Sequence, residues 1–228
     1  MTVRKILAGL MCAVAPLALP APAQAQVSSG EPAHASVVRA PLVSGRYLLA
    51  RLAVRAPSHA STYRRTYFKL WTSSRGCTTR NLVLIKESRV RATVGSRCVV
   101  RAGRWVSWYD GLVFTVPSRL DIDHVVPLHE AWMSGAWSWT VLKRTHYAND
   151  LGLSWSLDAV SAHSNRSKGD RDPAHWLPIR SVCAYAIHWV AIKYRWRLTI
   201  DTAERATLAR LLAGSCGAIR VPLPSRGS

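Results

Sequence analysis

Leu120-Asp121-Ile122-Asp123-His124-Val125-Val126-Pro127-Leu128 is the stretch that decides how this chain is read. Its first half alternates apolar and acidic residues, the period of a strand buried on one face, and Pro127 marks the turn that ends it. Asp121 and Asp123 therefore point to the same face of that strand. At its end an acid stands directly before a histidine, which sets a hard oxygen ligand beside a proton acceptor on a strand-to-loop edge. Further on, Ser164-Asn165-Arg166-Ser167-Lys168-Gly169-Asp170 gathers an amide, two cations and an acid on a helix that opens at Ser161.

Upstream of this centre, residues 81–85, 98–100 and 105–108 are β-rich, and Asp110-Gly111 is a tight-turn dipeptide before Leu112-Val113-Phe114. Together they predict a small antiparallel sheet. Before it, Tyr63, Tyr67, Leu70 and Trp71 recur at helical spacing between Arg64, Arg65 and Lys69, which predicts an amphipathic basic helix over 61–71. Downstream, Leu128, Ala131 and Trp132 share a helical face, Thr140 N-caps a second helix running to Ala148, and Leu157-Asp158-Ala159-Val160 is a short strand. Two more helices follow, one over 183–196 and one from the capping box Asp201/Glu204 to Leu212. Residues 26–60 show no sustained period and are expected to be a loosely ordered N-terminal segment. Residues 217–228, rich in Gly, Pro, Arg and Ser, are expected to be a disordered tail.

The N-terminus has Arg4 and Lys5 before an apolar run from Ile6 to about Pro20, ending in Ala23-Gln24-Ala25. A basic start, an apolar centre and a small-x-small ending predict a secretory signal peptide over residues 1–25, Cys12 being discarded with it. The run is interrupted by prolines and shorter than the roughly 20 residues of a comfortable membrane span. The expected product is secreted, without stable membrane association once the signal is cleaved, and monomeric. Its remaining length of about 200 residues is enough for one domain with a real core.

Charge is the strongest compositional signal. The chain has 31 Lys and Arg against 12 Asp and Glu, a net of +19, or +17 once Arg4 and Lys5 are removed. Such an excess favours a polyanionic partner through counterion release. Four cysteines remain, with no Cys-x-x-Cys pair to suggest structural zinc, and an even count in an exported chain predicts two disulfides. Of the three pairings possible, Cys77–Cys98 and Cys183–Cys216 are favoured because each brackets one local unit.

From Asp121 to Pro127, at Ala148-Asn149-Asp150-Leu151, and from Ser164 to Asp170, the sequence resembles the HNH endonuclease superfamily, closest to its exported branch related to the C-terminal domain of GmrSD-type restriction endonucleases. The similarity covers residues 61–216 and includes Ala131-Trp132 and Asp172-Pro173-Ala174. It implies an α+β fold with a ββα-metal (His-Me finger) core, a small antiparallel sheet and surrounding α-helices. It implies nucleic-acid phosphodiester hydrolysis, DNA before RNA, leaving 5′-phosphate and 3′-hydroxyl ends. Carried over residue by residue, His124 is the general base, Asn149 the middle asparagine that orients the histidine or its loop, and Asp123 with Asn165 the ligands of a divalent metal, Mg2+ or else Mn2+. Arg166 and Lys168 are expected at substrate phosphates, with Asp121 and Asp170 behind the ligands. One departure is Leu151-Gly152-Leu153-Ser154-Trp155-Ser156, less polar than the resemblance implies beside Asn149. No DNA-reading module accompanies the core, so low sequence specificity is expected. The competing reading is a secreted polyanion-binding protein that keeps the fold without the chemistry.

Overall fold

The computed structural model describes residues 1–2 and 40–228. Residues 3–25 of the expected signal peptide and the segment from there to residue 39 lie outside the described residues. Residues 40–228 form one compact unit.

In chain order the unit contains β1 (Leu42–Ser44) and α1 (Gly45–Leu49), then β2 (Ser73–Ser74), β3 (Cys77–Thr78) and α2 (Thr79–Glu87). Next come β4 (Thr93–Val94), β5 (Val100–Ala102), β6 (Trp105–Val106), β7 (Val113–Phe114) and β8 (Leu120–His124). The second half holds α3 (Leu128–Met133), α4 (Val141–Ala148), β9 (Leu157–Ser161), α5 (Ala162–Lys168), α6 (Val182–Trp196), α7 (Thr202–Ala213) and β10 (Arg220–Pro222). The fold is α+β, and the strands pair two by two in antiparallel ribbons instead of joining one small sheet. The longest ribbon is β8 with β9, in the register Asp121↔Val160, Asp123↔Asp158 and His124↔Leu157.

Two apolar clusters hold the unit together. The smaller lies on the Ile122 and Ala159 side of the β8–β9 ribbon, where Val83 and Leu84 of α2 pack with Val100 and Trp105. The larger is built round α6, which is apolar on nearly every side and so lies in the interior. Lys193, fully buried on α6, is accommodated because Glu130 and Glu204 accept from its Nζ at 2.7 Å each. Both expected disulfides are formed, Cys77–Cys98 and Cys183–Cys216. Among the described residues no helix is long and apolar enough to cross a membrane.

Four expectations are corrected. Residues 81–85 are helix, not strand: the Thr78 side chain accepts from the Asn81 N–H as N-cap, and the apolar residues Val83 and Leu84 turn together into the smaller cluster. Residues 61–71 form no helix; two 3-10 turns, Ala60–Thr62 and Arg65–Tyr67, are joined by extended chain. Their aromatics are drawn to distant partners, Tyr63 to His129 and Trp132, Tyr67 to Trp132 and Trp71 to His124, which lie on two different elements. The lead-in is ordered from residue 40, with Leu48, Leu49 and Leu52 buried in the core. The tail is ordered too: β10 pairs with β1, and the Arg195 guanidinium donates to the Ser225 carbonyl at 2.6 Å. The domain therefore extends beyond 61–216 at both ends.

Candidate active site

The site is assembled where the β8–β9 ribbon meets α5. Ser161 ends β9 and caps α5, its Oγ accepting from the Ser164 N–H at 3.1 Å. Both serine hydroxyls donate to Asp110 Oδ2, the Ser164 bond at 2.7 Å, so the turn acid read from Asp110-Gly111 also clamps the start of α5. Gly169 closes the helix at φ 56, the left-handed region that favours glycine. Between them α5 presents Asn165 towards the end of β8. A cleft of about 210 Å3 results, lined by Asp123, His124, Asn165, Arg166 and Asp170, with Arg65 from the preceding loop.

His124 is 7 % exposed, and its Nε2 lies 3.0 Å from the Ala148 carbonyl oxygen. A carbonyl only accepts, so Nε2 carries the hydrogen and Nδ1 is left with the lone pair. The ring stacks on Trp71 at 5.7 Å between centroids. Burial pulls its pKa down to about 4, helped by the positive charges of Arg65 and Lys168 and opposed by the Ala148 bond. The imidazole is thus neutral at neutral pH, fixed in one tautomer and able to accept a proton at Nδ1.

Asp123 is also buried, and much of its hydrogen-bonding capacity is used inside the protein. Lys168 Nζ donates to both of its oxygens at 2.8 Å, and the Tyr109 hydroxyl donates to Oδ2 at 2.6 Å. Burial pushes the Asp123 carboxyl up, with Lys168 as the main opposing influence. Lys168 is fully buried, gives its third bond to the His124 carbonyl oxygen at 2.9 Å, and does not line the cleft. Its expected role at a substrate phosphate is therefore corrected: it joins the last turn of α5 to the end of β8.

The remaining residues divide. Asn165 Nδ2 donates to Asp121 Oδ2 at 3.1 Å, while its Oδ1 makes no hydrogen bond among the described residues. Arg166 is exposed and reaches Asp121 at 3.6 Å, free to meet a phosphate. Asp170 does not cap α5; it lies 3.5 Å from His129 Nδ1 at the cleft edge. Asn149 stands outside the cleft. Its Oδ1 accepts from the Thr72 N–H at 2.9 Å and the Thr79 hydroxyl at 2.8 Å, while Nδ2 donates to the carbonyls of Lys69 at 2.7 Å and Thr145 at 2.8 Å. It pins the loop before α2 onto α4 and touches His124 only through its neighbour Ala148, so it is a positioning residue.

Tyr109, Trp71 and Arg65 complete the site without having been singled out in the sequence as site residues. Nothing marks them there, because each comes from a loop remote in the chain. Asp123 and Asn165 supply oxygen donors, with a lone-pair direction left on the carboxylate out of about four and a free amide oxygen. That set fits a hard divalent cation that keeps several of its waters, and does not fit zinc. Among the described residues no group of three or more His, Cys, Asp and Glu is gathered to hold a metal.

No family model and no solved structure matches the chain. It is 39 % identical over 168 residues to an uncharacterized secreted protein of Arthroderma benhamiae, an alignment covering 72 % of this chain and 81 % of that one. With this relative and the two disulfides together, the protein is secreted. The chain belongs to the same family as that secreted Arthroderma benhamiae protein.

Proposed function

We propose that the protein is a secreted, metal-dependent endonuclease of the HNH type that hydrolyses nucleic-acid phosphodiester bonds with little sequence preference, DNA first among its substrates. His124 carries this reading: a buried, neutral imidazole with a free Nδ1 at a cleft that also holds Asp123, Asn165 and two arginines. The strand-strand-helix order of β8, β9 and α5 supports it as well, matching the order of parts that the HNH resemblance implies.

In this reading Nδ1 of His124 takes the proton of the water that attacks phosphorus. The Ala148 carbonyl and the Trp71 ring keep the imidazole from turning, which preserves its tautomer. A pKa near 4 makes it a weaker base than a free histidine, and an anionic substrate in the cleft raises it towards the useful range. Asp123 and Asn165 hold the divalent cation, Mg2+ or Mn2+, which when bound supplies Lewis-acid stabilisation of the phosphate and the departing 3′ oxygen. Arg65 and Arg166 draw the phosphate in, and Lys168 with Tyr109 fixes the carboxylate to which the site is keyed.

A second reading, a secreted polyanion-binding protein without turnover, is favoured by one observation: the Asp123 charge is already matched by Lys168. Purified protein incubated with plasmid and single-stranded DNA in Mg2+ or in EDTA separates the two. Cleavage is expected with Mg2+ only, falling about 100-fold or more in His124→Ala with an unchanged circular dichroism spectrum. Undiminished cleavage by that variant refutes the proposed base, and salt-sensitive binding with no metal-dependent cleavage by the native protein establishes the second reading.

A further inference from the structure

We infer that the surface across α3 from the cleft is a subsite for an unpaired nucleobase, so that the preferred substrate is a single-stranded stretch of nucleic acid; this rests on the nuclease reading above. The subsite is a hollow of about 370 Å3 with Trp137 and Trp139 in its wall and Arg55 and Arg197 at its rim. The two tryptophans are used differently. Trp139 packs inward on Tyr147 and Trp196, whereas Trp137 is 42 % exposed and has one aromatic partner, His59, stacked 3.9 Å away.

His59 itself is built to make that contact. Its backbone has φ 61, the left-handed region, which costs a non-glycine residue conformational energy. Its carbonyl is fixed there by bonds from the Trp132 indole at 3.0 Å and the Thr62 hydroxyl at 2.8 Å. A strained, pinned histidine thus backs an indole whose own surface remains open, an arrangement that stiffens a stacking platform. Arg55 and Arg197 form no ion pair among the described residues, so their charge is available to a phosphate.

Its position ties the hollow to the cleft. Leu128, the first residue of the six-residue α3, lines the cleft, and Met133, the last, lines the hollow. Five steps of helix put them about 8 Å apart, the rise of roughly two to three stacked nucleotides of one strand. Tyr63 stacked on His129 lies along the way, with Arg65 at the cleft end. Aromatic faces alternating with cations suit bases and phosphates of a flexible single strand. A duplex keeps its bases inside the stack, where an indole on the surface does not reach them.

The test measures binding in EDTA, where no metal-dependent cleavage intervenes. Native protein, Trp137→Ala and Trp137→Phe are titrated with labelled 20-nucleotide single strands of DNA and of RNA, with the same DNA as a duplex, and with a sulfated glucan. The expected result is a loss of single-strand affinity of roughly 5- to 150-fold in Trp137→Ala, most of it restored by Trp137→Phe, with duplex and glucan binding unchanged. Equal losses for single strand and duplex, or a Trp137-dependent loss for the glucan, overturn the subsite. So does unchanged single-strand affinity, even if plasmid cleavage with Mg2+ proceeds and leaves the nuclease reading standing.

Discussion

Lys168→Met is the substitution that probes the centre of this site most directly. It keeps an apolar stem in the same space and removes the ammonium that donates to Asp123 Oδ1, Asp123 Oδ2 and the His124 carbonyl, from a residue with no solvent exposure. What remains is a carboxylate, 6 % exposed, with Tyr109 as its one remaining donor. Breaking a buried pair in this way costs about 3 to 5 kcal/mol, which for a domain of this size lowers Tm by roughly 6 to 20 °C. Urea unfolding under oxidising conditions, followed by tryptophan fluorescence, gives the loss. In Asp123→Asn/Lys168→Met both charges are gone, so the double variant is expected to be more stable than Lys168→Met alone, with a coupling of about 1 to 3 kcal/mol. Were Lys168 at a substrate phosphate on the surface, its removal would change stability by less than about 0.5 kcal/mol and weaken DNA binding instead. That outcome would refute the ion pair and return the lysine to substrate.

Asn149→Ala removes four hydrogen bonds to the 69–79 loop and α4 and is expected to cost about 2 to 4 kcal/mol in urea unfolding; a loss of activity with native stability would instead make Asn149 part of the chemistry. His188 is a half-buried imidazole, stacked on Trp155 at 4.7 Å, and its partial burial lowers its pKa to about 4. The unfolded chain takes up that proton near 6.5 and the fold does not until about 4, so the stability His188 contributes is complete above 6.5 and is lost as pH falls through that window. His188→Phe keeps the stack without the titration. Between pH 7.5 and 5 it is expected to lose about 2 kcal/mol less than the native protein, and parallel pH profiles would show that His188 titrates normally.

Much of the fold is legible in local sequence because local chemistry decides it. Thr140, Ser161 and the Asp201/Glu204 box cap the helices they were read to cap. The strand over Leu120 to His124 forms, but it is buried at every position except the half-buried Asp121, because Asp123 and His124 are covered as well as the apolar side. The failures share a cause. Asn81 to Ile85 is a short aliphatic run that suits a strand or a helix equally, and the Thr78 cap tips the balance. Tyr63, Tyr67 and Trp71 are spaced as on a helix, but Tyr63 and Tyr67 pack on α3 and Trp71 on His124, and tertiary packing overrides the period. The site behaves likewise. Asp123, His124 and Asn165 are named by their motifs, whereas Lys168 looks like a phosphate contact because it sits next to Arg166. Only the 45 residues separating it from Asp123 in the chain, closed up by the fold, reveal its partner.

If the proposed nuclease reading holds, the distribution of charge accounts for how one surface would serve both a cation and a polyanion. Of the 11 acids among the described residues, six are buried: Asp123, Glu130, Asp150, Asp158, Asp172 and Glu204. Of the 28 basic residues among the described ones, three are buried with them: Lys168, Lys193 and Arg195. The surface of the described residues is therefore more basic than their net charge of +17 (28 basic less 11 acidic) implies, and its field attracts anions from a distance set by the ionic strength. Of the few acids left outside the core among the described residues, Asp170 lines the cleft near His129, and Asp121 stands behind the cleft residues Asn165 and Arg166. In the proposed nuclease reading, they make a local negative spot in a positive surround where a divalent ion would settle without being repelled, with the approaching phosphate supplying the rest of its ligands. Because Lys168 neutralises Asp123 from within, the cleft's negative charge rests on Asp121, whose bond from Asn165 also aims the free Asn165 Oδ1. Under that proposal Asp121, read from the sequence as an acid behind the ligands, would be the residue that tunes how tightly the site holds its ion.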